Sequence, residues 1–441
     1  MPYDSGMSSA PLPYVTRAFP GIGGTIKSRP EDFFVQELPL YEPSGEGEHV
    51  YAEIQKVGIT TFEAVKRIAK AFSMSPRDVG YAGLKDAHAI TRQIVSIAGV
   101  TEERVMGLKL PNLTVQWAAR HGNKLKLGHL SANRFAIKIR DVDPTAVVKL
   151  KPVLAELERR GMPNYFGEQR FGRRNNNDLL GAALVRSDNV GLLKLLLGGP
   201  DPAVDDKETV RARTAFDKHD NDLAMKIFPR SHGMERRILA RLMKTKKASS
   251  AVLAIDEKIR RLWITALQSR VFNDVLARRV EAEQFDKMLN GDWAYKHENG
   301  ACFLVEDAAT EQPRCDAFEI SPTGPLIGYR MSFPTGEPLK IEQDLLERYQ
   351  LTPENFKQSG RLRVKGARRP LRVKPGDLAL EGGVDEHGPH VTLAFTLPAG
   401  CFATTLLREL MKNDQRPGAE DAPDASDEAD GGEEAEESGV E

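Results

Sequence analysis

An aspartate stands at position 86 of "VGYAGLKDAHAITRQIVSI" (79–97), between Lys85 and His88 and three residues after Gly83. Its setting suits two kinds of work. Followed by a β-prone run of Thr, Ile and Val, Asp86 can close a turn between two strands, the usual task of aspartate in such a stretch. As a lone carboxylate among cationic neighbours it can instead act as a nucleophile or base. The rest of the chain offers little competing chemistry: no assignable Ser-His-Asp order, no paired-carboxylate motif and no ligand cluster spaced for a metal. His387 and His390 in "DEHGPH" read as solvent-exposed residues of a Gly/Pro turn. "GIGGTIKS" puts glycines before Lys27-Ser28 but has Ile26 where a phosphate-cradling P-loop needs glycine, which excludes that type of nucleotide site. If the chain is an enzyme, its reactive group is expected to be a lone carboxylate acting as nucleophile or base, and Asp86 is a candidate for it.

The elements around it read as α+β. "TIKSRPEDFFVQEL" and "HVYAEIQKV" are β-prone runs separated by "PSGEGE", the composition of a hairpin loop. "TTFEAVKRIAKAF" carries Phe62, Val65, Ile68, Ala69 and Phe72 on one helical face, with Thr60 and Glu63 in capping-box spacing. Strand, turn and strand around Asp86 follow, then "LTVQWAA", "KLKLGHL" and "RFAIKIRDV" as further strands, and an amphipathic helix that Gly161 ends. Beyond "MPNYFGEQRFGRRNNN" the pattern turns helical, at about 176–197, 234–247 and along "EKIRRLWITALQSRVFNDVLARRVE". Strand-like segments return with "RLRVKGARRPLRVKPGD" and "PHVTLAFTLP", and "CFATTLLRELMKN" closes as a helix. This order admits either three consecutive domains or one discontinuous β-rich domain with a helical insertion.

Charge divides the chain more sharply than its net of -1 suggests. The last 29 residues hold 12 of the 63 acids and one of the 62 bases, so residues 1–412 keep 61 bases against 51 acids and are clearly basic. The tail has no apolar face and is expected to be disordered. Two segments of the body suit RNA. "NYFGEQRFGRRNNN" mixes Tyr165, Phe166 and Phe171 with Arg170, Arg173 and Arg174, a pattern for base stacking and phosphate contact or for aromatics anchoring a hinge. "RLRVKGARRPLRVK" holds seven basic residues in fourteen, a density suited to a phosphate backbone. Three scattered cysteines, no export signal and no long apolar run point to a reducing compartment, the cytoplasm, and to no membrane span.

"GYAGLKDAHAITRQ" resembles the signature of the TruD family of tRNA pseudouridine synthases. "IKSRPEDFFVQEL", "HLSANRFAIKIRDV", "PNYFGEQRFG" and "LPAGCFATTLLREL" resemble further blocks of that family, in the family's order. The resemblance implies a pseudouridine synthase catalytic domain with a mixed or antiparallel sheet, built from residues 21–163 and 372–412. A largely helical insertion domain would occupy 164–371 and the acidic tail 413–441, with a basic cleft for RNA between the domains. It implies isomerisation of a uridine, typically uridine 13 in the D-arm of tRNA(Glu), with no metal, cofactor or energy source. The partner expected is tRNA, and the protein is expected to be a monomer.

Residue by residue, Asp86 matches the catalytic aspartate and Lys27 the lysine that pairs with it. Phe135 matches the aromatic that stacks on the extruded base, and Asn133 the asparagine beside it. His88 and Arg170 are expected near the RNA. Pairing of Lys27 with Asp86 also follows from chemistry, because a carboxylate kept ionised in a site drained of water needs a nearby cation. The rival reading is a non-catalytic RNA-binding protein, against which stands the presence of Asp86, Lys27, Asn133 and Phe135 together.

Overall fold

The computed structural model describes residues 11–413. In chain order the elements are β1 (Phe33–Pro39), β2 (His49–Val57), α1 (Thr61–Ala71), β3 (Val79–Tyr81), β4 (Ile90–Ala98), α2 (Glu102–Met106), β5 (Leu113–His121), β6 (Leu130–Arg140), α3 (Val147–Arg160) and β7 (Met162–Pro163). A helical stretch follows: α4 (Asn177–Val185), α5 (Asn189–Leu197), α6 (Lys207–Asp217), α7 (Asn221–Ile227), α8 (Gly233–Thr245), α9 (Ala248–Val252) and α10 (Glu257–Glu281). Then come β8 (Trp293–Lys296), β9 (Cys302–Leu304), α11 (Ala308–Asp316), β10 (Ile320–Leu326), α12 (Gly336–Tyr349), β11 (Ala367–Pro370), β12 (Arg372–Val373), β13 (Gly376–Asp385), β14 (Gly388–Pro398) and α13 (Ala403–Met411). Among the described residues, 13–164 and 372–413 form one compact unit and 165–371 another. None of the described helices is long and apolar enough to cross a membrane.

The first unit is built on a mixed sheet in the order β13-β14-β6-β1-β4-β2-β5, with β3 paired to β4. One group of buried side chains joins β1, β6 and β14 to α3 and α13, through Phe33, Val35, Phe135, Ile137, Leu154, Phe395 and Leu406 among others. A second joins β2, β4 and β5 to α1 through Val50, Ile54, Val65, Ile68, Val95 and Leu113. Helix α1 begins where its sequence dictates: the Thr60 hydroxyl accepts the Glu63 N–H at 3.1 Å, and Ala64, Val65, Ile68 and Ala69 supply its buried stripe. Gly161, at φ +89°, ends α3.

The α+β class and the mixed sheet are as the sequence implies, but four local expectations fail. Strands β1 and β2 do not form a hairpin through "PSGEGE": β4 lies between them, parallel to β1 (Phe34↔Ile90) and antiparallel to β2 (Val50↔Ile97). Strand β4 is buried on both faces along most of its length, so it takes an interior place that a β1–β2 hairpin would deny it. "KLKLGHL" is a loop up to Leu130, and its polar backbone bonds elsewhere, Leu125 N–H to Ser96 Oγ at 2.9 Å and Gly128 N–H to the Ala82 carbonyl at 2.8 Å. "TIKSRPED" is not strand either, since β1 starts only after a tight helical turn led by Pro30, whose ring fixes φ and removes a donor. His390, finally, is not an exposed loop residue but lies on β14 and is buried.

The second unit centres on the 25-residue α10, whose Trp263 and Phe272 are buried. Helix α4 is tied to it by the buried Arg270–Asp178 pair at 2.9 Å, and a four-stranded sheet runs β11-β10-β8-β9. The basic run expected as strands contains only the short β11 and β12, preceded by a helical turn at Gly360–Leu362.

Candidate active site

Asp86 lies in loop 82–89, between β3 and β4. The glycines of "VGYAGLKD" admit close approach: a Cβ on Gly80 would fall 2.4 Å from Ser96 Oγ, and one on Gly83 3.2 Å from Lys85 Nζ. Gly128 N–H holds the Ala82 carbonyl at the start of the loop. Further on, Lys85 N–H donates to the Thr61 hydroxyl at 2.9 Å, which donates to Gln93 Oε1 at 2.9 Å. The Lys85 ammonium turns inward to Glu37, 2.8 Å away, and both side chains are buried. From β2, Lys56 Nζ donates to the carbonyls of Ile59 (2.7 Å), Asp86 (2.9 Å) and Lys85 (3.2 Å).

On this fixed backbone the Asp86 carboxylate remains 31% exposed. Its Oδ1 accepts the His88 N–H at 2.9 Å, the turn bond its type predicts, and its Oδ2 accepts a charge-assisted bond from Lys27 Nζ across 59 positions of sequence. Turn former and ion-paired carboxylate are therefore the same residue. Burial pushes the Asp86 carboxyl pKa up, but the Lys27 ammonium, its hydrogen bond and the His88 N–H outweigh burial and hold it below the ordinary value. Asp86 is ionised at neutral pH.

Lys27 reaches it from a turn of φ +59°, a left-handed conformation that costs a non-glycine residue on the order of 1 kcal/mol. The turn is clamped on both sides. Ahead of it, Ile26 packs against the buried apolar group of β1, β6 and β14, and Thr25 exchanges backbone bonds of 3.0 and 2.8 Å with Arg140. Behind it, Asp32 takes the Arg140 guanidinium, with Nε 3.1 Å from both oxygens. Arg140 also holds Asp385 at 2.6 Å, and Lys138 meets the same carboxylate at 2.7 Å. The Lys27 ammonium stands 5.2 Å over the Phe33 ring.

The remaining expected residues divide. Phe135 is opposite Val35 on β1 and buried, its ring stacked on Phe395 with centroids 4.9 Å apart. Asn133, two residues earlier and opposite Glu37, has a buried Oδ1 without a hydrogen-bond partner among the described residues. His88 contributes its backbone to the Asp86 turn and is exposed. Arg170 belongs to the other unit, where it lies over Phe166 at 5.9 Å with Nε 3.4 Å from Ser269 Oγ. There Tyr165, Phe166 and Phe171 are buried, so these aromatics anchor the loop instead of offering free faces for bases. In the basic run, Arg368 is spent on a buried pair with Glu342 at 2.8 Å and Arg372 on the Arg160 carbonyl at 2.7 Å, while Arg361, Arg363 and Lys365 are exposed.

Lys56, Glu37, Thr61 and Arg140 went unnoticed in the sequence. For two of them a signal existed. Lys56 continues the alternation Val50, Ala52, Ile54, and Glu37 continues Phe33, Val35, so each sets a charge in an inward slot of a strand. Together the geometry gives an ionised, partly open carboxylate with one oxygen on an ammonium, able to attack a carbon electrophile or take a proton.

Residues 12–410 match the family described as tRNA pseudouridine synthase D (TruD). The tRNA pseudouridine synthase D of Geotalea daltonii is 48% identical over 402 residues, covering 91% of this chain and 100% of that protein. That of Geobacter metallireducens is 46% identical, covering 90% and 97%. A crystal structure of a candidate tRNA pseudouridine synthase D from Methanosarcina mazei superposes with a TM-score of 0.80 at 28% identity, covering 91% of this chain and 96% of that one.

Proposed function

The chain belongs to the tRNA pseudouridine synthase D family, and from that premise we propose that it converts uridine 13 in the D-arm of tRNA(Glu) to pseudouridine with Asp86 as its reactive group. The observation that carries the proposal is the Lys27–Asp86 ion pair on a loop whose backbone is held by Thr61 and Lys56.

The reaction is an isomerisation, so no co-reactant is consumed. The N1–C1′ bond breaks, the uracil turns within the site, C5 bonds to C1′, and the proton from C5 is lost while N1 gains one. Asp86 begins it by attack on the base or sugar or by removal of a sugar proton; ionisation at neutral pH serves each route. Lys27 offsets the desolvation of that carboxylate when a bound base excludes water. The uridine leaves its stack to react. Phe135, on the strand that neighbours β1, takes its face once the ring, buried against Phe395 in this structure, is uncovered, and the Asn133 Oδ1, unpartnered among the described residues, supports a hydrogen bond from a uracil N–H. Exposed Arg361, Arg363 and Lys365, with Arg170, contact the tRNA backbone, and His88 lies beside the target nucleotide. A tRNA substrate implies work in the cytoplasm.

The test is to incubate the protein with unmodified tRNA(Glu) transcript and map pseudouridine chemically. Modification at position 13, lost in Asp86→Asn, is the expected result. Pseudouridine elsewhere would overturn the site, and activity in Asp86→Asn would overturn the mechanism.

A further inference from the structure

Lys56 is a fully buried lysine of β2, with no exposed surface and, among the described residues, no carboxylate hydrogen-bonded to its ammonium. Its cross-strand partners, Thr91 on β4 and Leu113 on β5, are uncharged. All three N–H bonds of the ammonium go to carbonyls, one at Ile59 just before α1 and two at Lys85 and Asp86, so the side chain ties strand, helix entry and loop together. A buried cation costs free energy that apolar packing would not, and stability alone gives no reason for one here. We propose that Lys56 is a positioning residue: it holds the Asp86 peptide so that the carboxylate meets Lys27 and the substrate in one fixed orientation. This rests on the reading of Asp86 as the reactive group.

The tether also carries a pH dependence. Burial pushes the Lys56 pKa down to about 8, with the Asp86 carboxylate pulling it up and the Lys85 ammonium pushing it down; these are the charged groups that act on it. A neutral amine has two N–H donors for three carbonyls, so above that pH one contact is lost and the loop loosens. The folded protein releases this proton near 8 and the unfolded chain near 10.5, so a rise in pH between those values stabilises the fold through this group. Any alkaline loss of rate caused by Lys56 is therefore a loss of positioning and not of folding.

The experiment uses the full chain and an unmodified tRNA(Glu) transcript, with single-turnover rates at saturating enzyme, tRNA affinity, and hydrogen exchange of residues 82–90. Lys56→Met is expected to slow the rate tenfold or more and to leave affinity within about threefold. The Lys85 and His88 amides should exchange faster while those of β2 and β4 stay protected. Wild-type rate and unchanged exchange in Lys56→Met would overturn the proposal. Should Lys56→Met fail to fold, the wild-type rate is expected to fall as pH rises through about 8, and the rate of Lys56→Arg, which stays charged, to hold to higher pH. Coincident profiles would overturn it. Absence of pseudouridine in the wild type would instead defeat the functional reading, and the exchange of loop 82–90 would still report on the tether.

Discussion

Two charge clusters of the same unit use similar groups to opposite ends. Around Arg140, Asp32 is 1% exposed and the guanidinium 6%, and the two carboxylates of Asp32 and Asp385 take up its donors. Around Asp86, Lys27 is largely buried but the carboxylate is open to about a third of its extent, with each oxygen bonded once in the structure. A closed cluster spends its hydrogen-bonding capacity on the fold, whereas an open one retains some for a substrate. The closed cluster serves the open one, because the segment it clamps carries Lys27.

Substitutions should separate the two. Asp86→Asn keeps the shape and removes the ionised carboxylate, so single-turnover pseudouridine formation should fall by about 10⁴-fold or more, with tRNA affinity and thermal midpoint nearly unchanged. A variant that loses its fold in parallel would erase the distinction between the clusters. Arg140→Met leaves Asp32 buried and unpaired, which costs about 3–5 kcal/mol and lowers the midpoint by roughly 10 °C. Calorimetry checks this, and an unchanged midpoint would mean that the closed cluster does not support the fold. Lys27→Met should slow the saturated rate by about 10- to 100-fold, less than the cost of a fully buried unpaired charge because Asp86 is partly solvated. Lys27→Arg should recover part of it. If Lys27→Met weakens tRNA binding and leaves the saturated rate intact, Lys27 is a phosphate contact and the open cluster has been misread. Smallest of all, deletion of the acidic tail 413–441, nearly all of it outside the described residues, should leave tRNA affinity unchanged even at low salt, where a competing RNA mimic would show most clearly.

Local grammar in the sequence was a good guide to elements and a poor one to their neighbours. Thr60 and Glu63 announced α1, and Gly161 the end of α3, because caps are written within a few residues. The insertion of β4 between β1 and β2 was not legible, since "PSGEGE" signals a turn but not which strand will pair across it. At the site, chemistry and family likeness together pointed to Lys27 and Asp86, while neither revealed that Lys27 would sit in a left-handed turn. Lys56 and Glu37 escaped because a charged residue at a strand end is ordinarily read as solvent-facing; counting strand parity through to those positions would have exposed both.

The N-terminal segment that leads to Lys27 is fastened by α13 of the same unit. Glu409 accepts the N–H groups of Val15 and Thr16 at 3.1 and 3.0 Å, and Ile22 and Gly23 donate to the carbonyls of Leu410 and Met411. Strands β13 and β14, which complete one side of the sheet, also come from beyond residue 371. On the ribosome, at about 5–20 residues per second, the 235 residues between Arg140 and Gly376 delay these pieces by on the order of 10 to 50 s after β6 has emerged. Through that interval Asp86 can be set on its loop while Lys27 lacks its final anchor. A truncation that removes α13 should therefore loosen the segment that carries Lys27 and, with it, the Lys27–Asp86 pair.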